Sequence, residues 1–190
     1  MTSIADLLEQ PVPKPRRSLE DYASARTLEA LLESMLAIEF LSRGFTRNAV
    51  GKAFQAWRAL TVALLALERD RIAEKLGSKE RKWLMEKGIP RVPSTRLKAL
   101  SQLLEDVGYT GFSQATSMAL DLHDCQYHGP DPEAELSKYT RREEAAKDII
   151  LLAKVIVDLL EGRLKPILEE RKAWSPRHQE ALARLKALIA

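Results

Sequence analysis

Between residues 49 and 67 the apolar side chains Ala49, Ala53, Phe54, Trp57, Leu60, Leu64 and Leu67 recur at three- and four-residue spacing. That period puts them in one stripe along about five turns of helix and is incompatible with a strand, whose apolar period is two. The segment opens with Gly44-Phe45-Thr46-Arg47-Asn48-Ala49-Val50-Gly51-Lys52-Ala53, rich in the small residues that let a preceding helix fold back closely. Trp57 is expected to be a core anchor.

The other segments repeat this pattern. A first helix is expected to start at Ser18, an N-cap with Glu20 and Asp21 in the first turn, and to run along Leu28, Leu31, Leu32, Met35, Leu36 and Phe40 to a stop at Gly44. A short charged helix over residues 78–87 is expected to break at Gly88-Ile89-Pro90-Arg91-Val92-Pro93. A third unit begins at Ser94, with Leu97, Leu100, Leu103 and Leu104, and ends at Gly108. A fourth spans residues 113–125 and buries Ala115, Met118, Ala119 and Leu122. Thr140 and Glu143 predict a capping box for a core helix carrying Ala145, Ile149, Leu152, Ala153, Ile156 and Leu160, which Pro166 kinks or ends. Ser175-Pro176 starts a last helix with Leu182, Leu185, Leu188 and Ile189. The expected fold class is all-α, an up-and-down helical bundle of four core helices plus short and C-terminal ones. Residues 1–17, with Pro11, Pro13 and Pro15, read as an extended tail, residues 18–172 as the bundle domain, and residues 173–190 as a helix packing on the bundle or on a partner.

Composition narrows the function classes. The 190 residues are 45% hydrophobic and 30% charged, enough for one buried domain. Aromatics are only 6%. The many charges and the single asparagine, Asn48, hint at a heat-adapted source. One cysteine, Cys125, excludes an internal disulfide. No stretch nears the roughly 20 apolar residues of a membrane span, and residues 1–17 lack a signal-peptide core, so a cytoplasmic protein is expected. A net charge of +3 permits a nucleic-acid partner without demanding one.

The candidate chemistry lies in Leu122-His123-Asp124-Cys125-Gln126-Tyr127-His128-Gly129-Pro130, which holds two of the three histidines. Imidazole is the side chain that exchanges a proton near neutral pH. On one continuous helix the two rings would point about 140° apart. Gly129-Pro130 is expected to end the helix at or before His128, letting His128 fold back over the terminus with Asp124 and Tyr127 to orient it. Read otherwise, His123 is a core residue and His128 a turn residue, or His123, Asp124, Cys125 and His128 are metal ligands; the spacing matches no common zinc pattern.

The segment from Leu36 through Gly44, Phe45, Arg47, Lys52, Phe54 and Trp57 to Leu60 resembles the first two helices of HEPN domains, in particular their archaeal PaREP branch. The resemblance covers about residues 25–165. It implies a helical bundle paired into a homodimer, with RNA or a nucleotide as ligand, no cofactor, and a separate nucleotidyltransferase as a companion. Many HEPN members are metal-independent ribonucleases whose signature is Arg, a polar residue, a spacer and His. Here Asp124 fills the polar slot, His128 the histidine slot, and His123 stands where Arg is expected. In the catalytic reading His128 is general acid or base, a protonated His123 stabilises phosphate, and Tyr127 or Asp124 orients the pair. In the binding reading the same place grips RNA without turnover, helped by Arg141 and Arg142 at the next helix N-terminus. In a third, the bundle is an adaptor whose last helix docks on a partner.

Overall fold

The computed structural model describes residues 4–190. In chain order its α-helices are α1 (Ile4–Leu8), α2 (Leu19–Ser42), α3 (Thr46–Leu67), α4 (Arg69–Glu74), α5 (Ser78–Trp83), α6 (Ile89–Arg91), α7 (Leu97–Asp106), α8 (Phe112–His128), α9 (Arg142–Leu159), α10 (Lys165–Glu170) and α11 (Pro176–Leu188). No strand occurs among the described residues. Helix α3 lies at the centre and packs against α2, α8 and α9, while α7 lies on α8. Its whole apolar stripe is buried. Trp57 is 0% exposed, stacks on Phe112 with ring centroids 4.5 Å apart, and donates from Nε1 to Thr116 Oγ1 at 3.0 Å. Only Asn48, Lys52, Gln55 and Arg58, with Arg47 beside them, give α3 a polar stripe that reaches solvent.

The α2–α3 turn follows from local chemistry. Ser18 Oγ accepts from Asp21 N at 3.0 Å and caps the start of α2. At its end Gly44 takes φ +80°, and Gly44 N and Phe45 N donate to the carbonyls of Leu41 and Phe40. The Phe45 ring meets Phe40 edge-on at 6.5 Å, the apolar contact that accompanies this cap. The same pair of bonds ends α10, but there Lys172 occupies the left-handed position at φ +57°. A side chain with a Cβ is strained in that conformation, so Lys172→Gly is expected to stabilise the fold by about 0.5–1 kcal/mol in urea unfolding.

Several expectations are corrected. The first three residues of the expected tail lie outside the described residues; Ile4–Leu8 is helical, with Leu7 and Leu8 packed against the core, and only residues 11–14 lack any turn or helix. The chain does not break at Gly88: a π-helical turn over Leu84–Gly88 leads into α6, which ends only at Val92. Pro166 likewise neither ends nor visibly interrupts its helix, because a π-helical turn over Leu160–Leu164 precedes it and α10 continues. A wider turn relocates the hydrogen bonds that a proline ring would otherwise block. The acid of the α9 cap is Glu144, not Glu143: its carboxylate accepts from the backbone N–H of Thr140 and Arg141 at 2.8 and 3.2 Å.

The last helix docks on its own bundle, along α2 and the edge of α9. His178, 3% exposed, donates from Nε2 to Ser24 O at 2.8 Å, so its Nδ1 accepts from Ser175 N at 3.2 Å and Ser175 Oγ at 2.7 Å. Both bonds need the neutral ring, and burial holds its pKa below the ordinary histidine value of 6.5. Below that value the unfolded chain takes a proton that the folded chain refuses, so stability is expected to fall as pH drops. Urea midpoints at successively lower pH should decline for the native chain, and less steeply for His178→Gln.

Candidate functional site

Helix α8 carries the histidine segment, and it runs unbroken through His128. Gly129, at φ +76°, makes the turn only after it, with its N–H on Cys125 O at 2.8 Å. The expected fold-back of His128 therefore does not occur. His123 and His128 stay on one helix about 140° apart, His128 and Asp124 exposed and His123 half-buried. The His123 ring lies flat on Phe54 of α3, centroids 3.9 Å apart and planes at 18°, with Tyr127 edge-on at 5.1 Å. Its Nδ1 is buried without a hydrogen-bond partner. Burial pushes its pKa down, against the opposing pull of the Asp124 carboxylate. A ring whose charged form is disfavoured by burial against an apolar neighbour is a poor substitute for a cationic arginine, which counts against the expected protonated His123.

A permanent cation nevertheless stands at this end of α8. Arg47, in the first turn of α3, donates from Nε to Gln126 O at 3.2 Å and from Nη2 to Tyr127 O at 2.6 Å. Those carbonyls are among the last four of α8, which have no partner inside the helix, and a guanidinium there also complements the helix dipole. Arg47 opens onto a shallow cleft of about 520 Å³ lined by Asn48, Lys52, Gln55 and Gln126. Gly51 forms its floor: a Cβ there would come within 2.9 Å of Gln126 Cδ, so glycine is what lets the Gln126 amide lie across α3. Lys52 pairs with Glu33 at 3.0 Å. Two residues next to Arg47 in sequence or bonded to it carry exposed aromatic side chains, Phe45 at 56% and Tyr127 at 62%.

The family model described as the archaeal PaREP1/PaREP8 family matches residues 25–150, which include α3, the cleft, α8 and the start of α9. The chain belongs to the archaeal PaREP1/PaREP8 family. Neither a curated protein nor a solved structure matches it significantly.

In this PaREP1/PaREP8 chain the remaining expected site residues are placed as follows. Arg141 and Arg142 are exposed at the start of α9, but each is paired, Arg141 with Glu144 at 3.4 Å and Arg142 with Glu143 at 3.0 Å. The Glu144 carboxylate already occupies the backbone donors that an incoming phosphate would use. Cys125 is buried, and no three His, Cys, Asp or Glu side chains among the described residues gather to hold a metal ion. His123, Asp124, Cys125 and His128 radiate from one helix instead of converging. Among the described residues no helix is long and apolar enough to cross a membrane.

Sequence reading missed Arg47, Lys52 and Gln55. The spacing of the α3 apolar stripe contains a signal for the last two, since the positions it skips form one narrow polar face. Nothing local marks Arg47 as a partner of carbonyls some eighty residues later in the chain.

Proposed function

We propose that the chain is a HEPN-like bundle that binds single-stranded RNA at the α3–α8 cleft and does not cleave it through the His123/His128 pair. The observation that carries this reading is the Arg47 guanidinium at the cleft, anchored on the Tyr127 carbonyl, with exposed aromatic side chains on Tyr127 itself and on Phe45 two positions before Arg47. Proteins that hold single strands combine a cationic groove with aromatic faces on which bases stack. Arg47 supplies the uncompensated charge, since Lys52 is paired with Glu33; Asn48, Gln55 and Gln126 supply hydrogen bonds to sugar or base edges, and the rings of Phe45 and Tyr127 supply the platform. The separation of the two imidazoles speaks against an acid–base pair within one chain. A homodimer and a nucleotidyltransferase companion accompany this reading through the HEPN resemblance, and a mass measurement in solution tests the first.

The test is a salt series with labelled single-stranded RNA and the full chain. Binding should weaken linearly in log–log form, with a slope of about −0.7 per phosphate neutralised, while the RNA stays intact. Absence of binding at low salt overturns the proposal. Metal-independent cleavage that disappears in His128→Ala replaces it with the catalytic reading.

A further inference from the structure

Beside that cleft, sharing only Gln55 with it, a second depression of about 370 Å³ opens between α2, α3 and α6. Three guanidinium groups line it, those of Arg26, Arg58 and Arg91, against a single carboxylate, Glu29. Glu29 is committed to Arg26, whose Nη1 donates to it at 2.6 Å. Arg26 is further fixed by the Tyr22 ring, 5.2 Å beneath it, and its buried Nε has no acceptor. Arg58 is held just as firmly: Nε and Nη2 donate to the carbonyls of Val92 and Arg91 at 3.1 and 2.7 Å, leaving Nη1 uncommitted. Arg91 is exposed and has no ion-pair partner among the described residues.

The backbone behind these groups is strained. Val92 takes φ +37° although it is β-branched, and its side chain is fully buried. Such a conformation persists where its surroundings over-determine it, and it is common at ligand clamps. Here the Arg58 fork and the buried side chain hold it. The result is a rigid corner that holds Arg58, with the exposed Arg91 beside it, and two positive charges that no carboxylate of the depression neutralises.

We propose that this depression binds the dianionic phosphate of a small phosphate monoester. Guanidinium groups match phosphate oxygens bidentately, and two uncompensated charges suit a dianion better than a carboxylate. Ala59, Val62 and Pro90 give the same depression an apolar wall for the carbon part of the ester. Its volume is at the small end of the range for ligand pockets. The site does not depend on RNA binding at Arg47.

The experiment is calorimetric titration of the full chain at low salt with inorganic phosphate and with a nucleoside 5′-monophosphate, followed by 5′-phosphorylated against 5′-hydroxyl oligoribonucleotide. Arg91→Glu should keep the native unfolding midpoint, since Arg91 is exposed, and should bind both phosphate probes about tenfold or more weakly. Arg47→Ala should bind them as the native chain does, which separates this site from the RNA cleft. A preference for 5′-phosphorylated RNA in the Arg47→Ala background would identify the monoester as an RNA end; binding of the free monophosphate without that preference would identify a metabolite. No saturable binding of either probe up to about 10 mM overturns the proposal, as does unchanged affinity in Arg91→Glu.

Discussion

A Tyr127→Ala chain is expected to bind single-stranded RNA about five- to 150-fold more weakly than the native chain, the range corresponding to loss of one base–aromatic stack. The ring is 62% exposed and touches the fold mainly through its edge-on contact with His123. Its removal leaves no cavity, and the unfolding free energy should change by no more than about 0.5 kcal/mol. Tyr127→Phe keeps the aromatic face and should bind almost as the native chain does. Arg47→Ala is the companion variant: it should weaken all single strands alike and reduce the salt slope by about 0.7. Fluorescence anisotropy at several salt concentrations reads both effects. Native affinity in Tyr127→Ala together with an unchanged slope in Arg47→Ala would remove the cleft as the RNA site.

Trp57→Ala should cost about 3–5 kcal/mol of unfolding free energy, the largest loss expected from any single substitution here. The side chain is sealed between α3 and α8, stacked on Phe112 and bonded to Thr116. Its removal leaves a void that neighbours anchored in packed helices can only partly close. Trp57→Phe separates the contributions. It keeps most of the stack, and Thr116 remains satisfied through its own bond to Phe112 O at 2.8 Å. The loss should then be closer to 1–2 kcal/mol, roughly one hydrogen bond and some packing volume. Urea unfolding followed by circular dichroism measures both.

How much of this was legible in the chain depends on the range over which each feature is determined. The α3 stripe, the Ser18 cap and the Gly44 turn are settled within a few residues, and each stands where spacing and cap chemistry put it. The acid of the α9 cap was misplaced by one residue because Glu143 and Glu144 are adjacent and either can reach back to a donor; the start of the helix at Arg142 selects Glu144. Proline misled twice. Pro90 and Pro166 stop an ordinary α-helix, but each follows a π-helical turn that removes the conflict.

The site was harder to read because its geometry is tertiary. His123 looks available in the sequence, yet Phe54, about seventy positions earlier, lies flat against it, and burial disfavours its charged form. The cation expected in the histidine segment comes instead from Arg47 on α3. A charge that reaches a helix end from another helix leaves no periodic mark in either segment.

The π turn over Leu160–Leu164 also explains why α9 and α10 share one buried face. Ile156, Leu160, Leu164 and Leu168 are all buried at a constant spacing of four. In an unbroken α-helix each such step would drift by about 40°, carrying Leu168 roughly 120° away from Ile156. The wide turn absorbs about one residue of that drift. Deleting one residue between Leu160 and Leu164 would therefore restore a regular helix of eleven steps from Ile156, about 20° from three full turns, and keep Leu168 on the buried face. An alignment gap of one position there between this chain and a related one would report a lost π turn with the C-terminal face kept, and α11 could hold the same seat on α2.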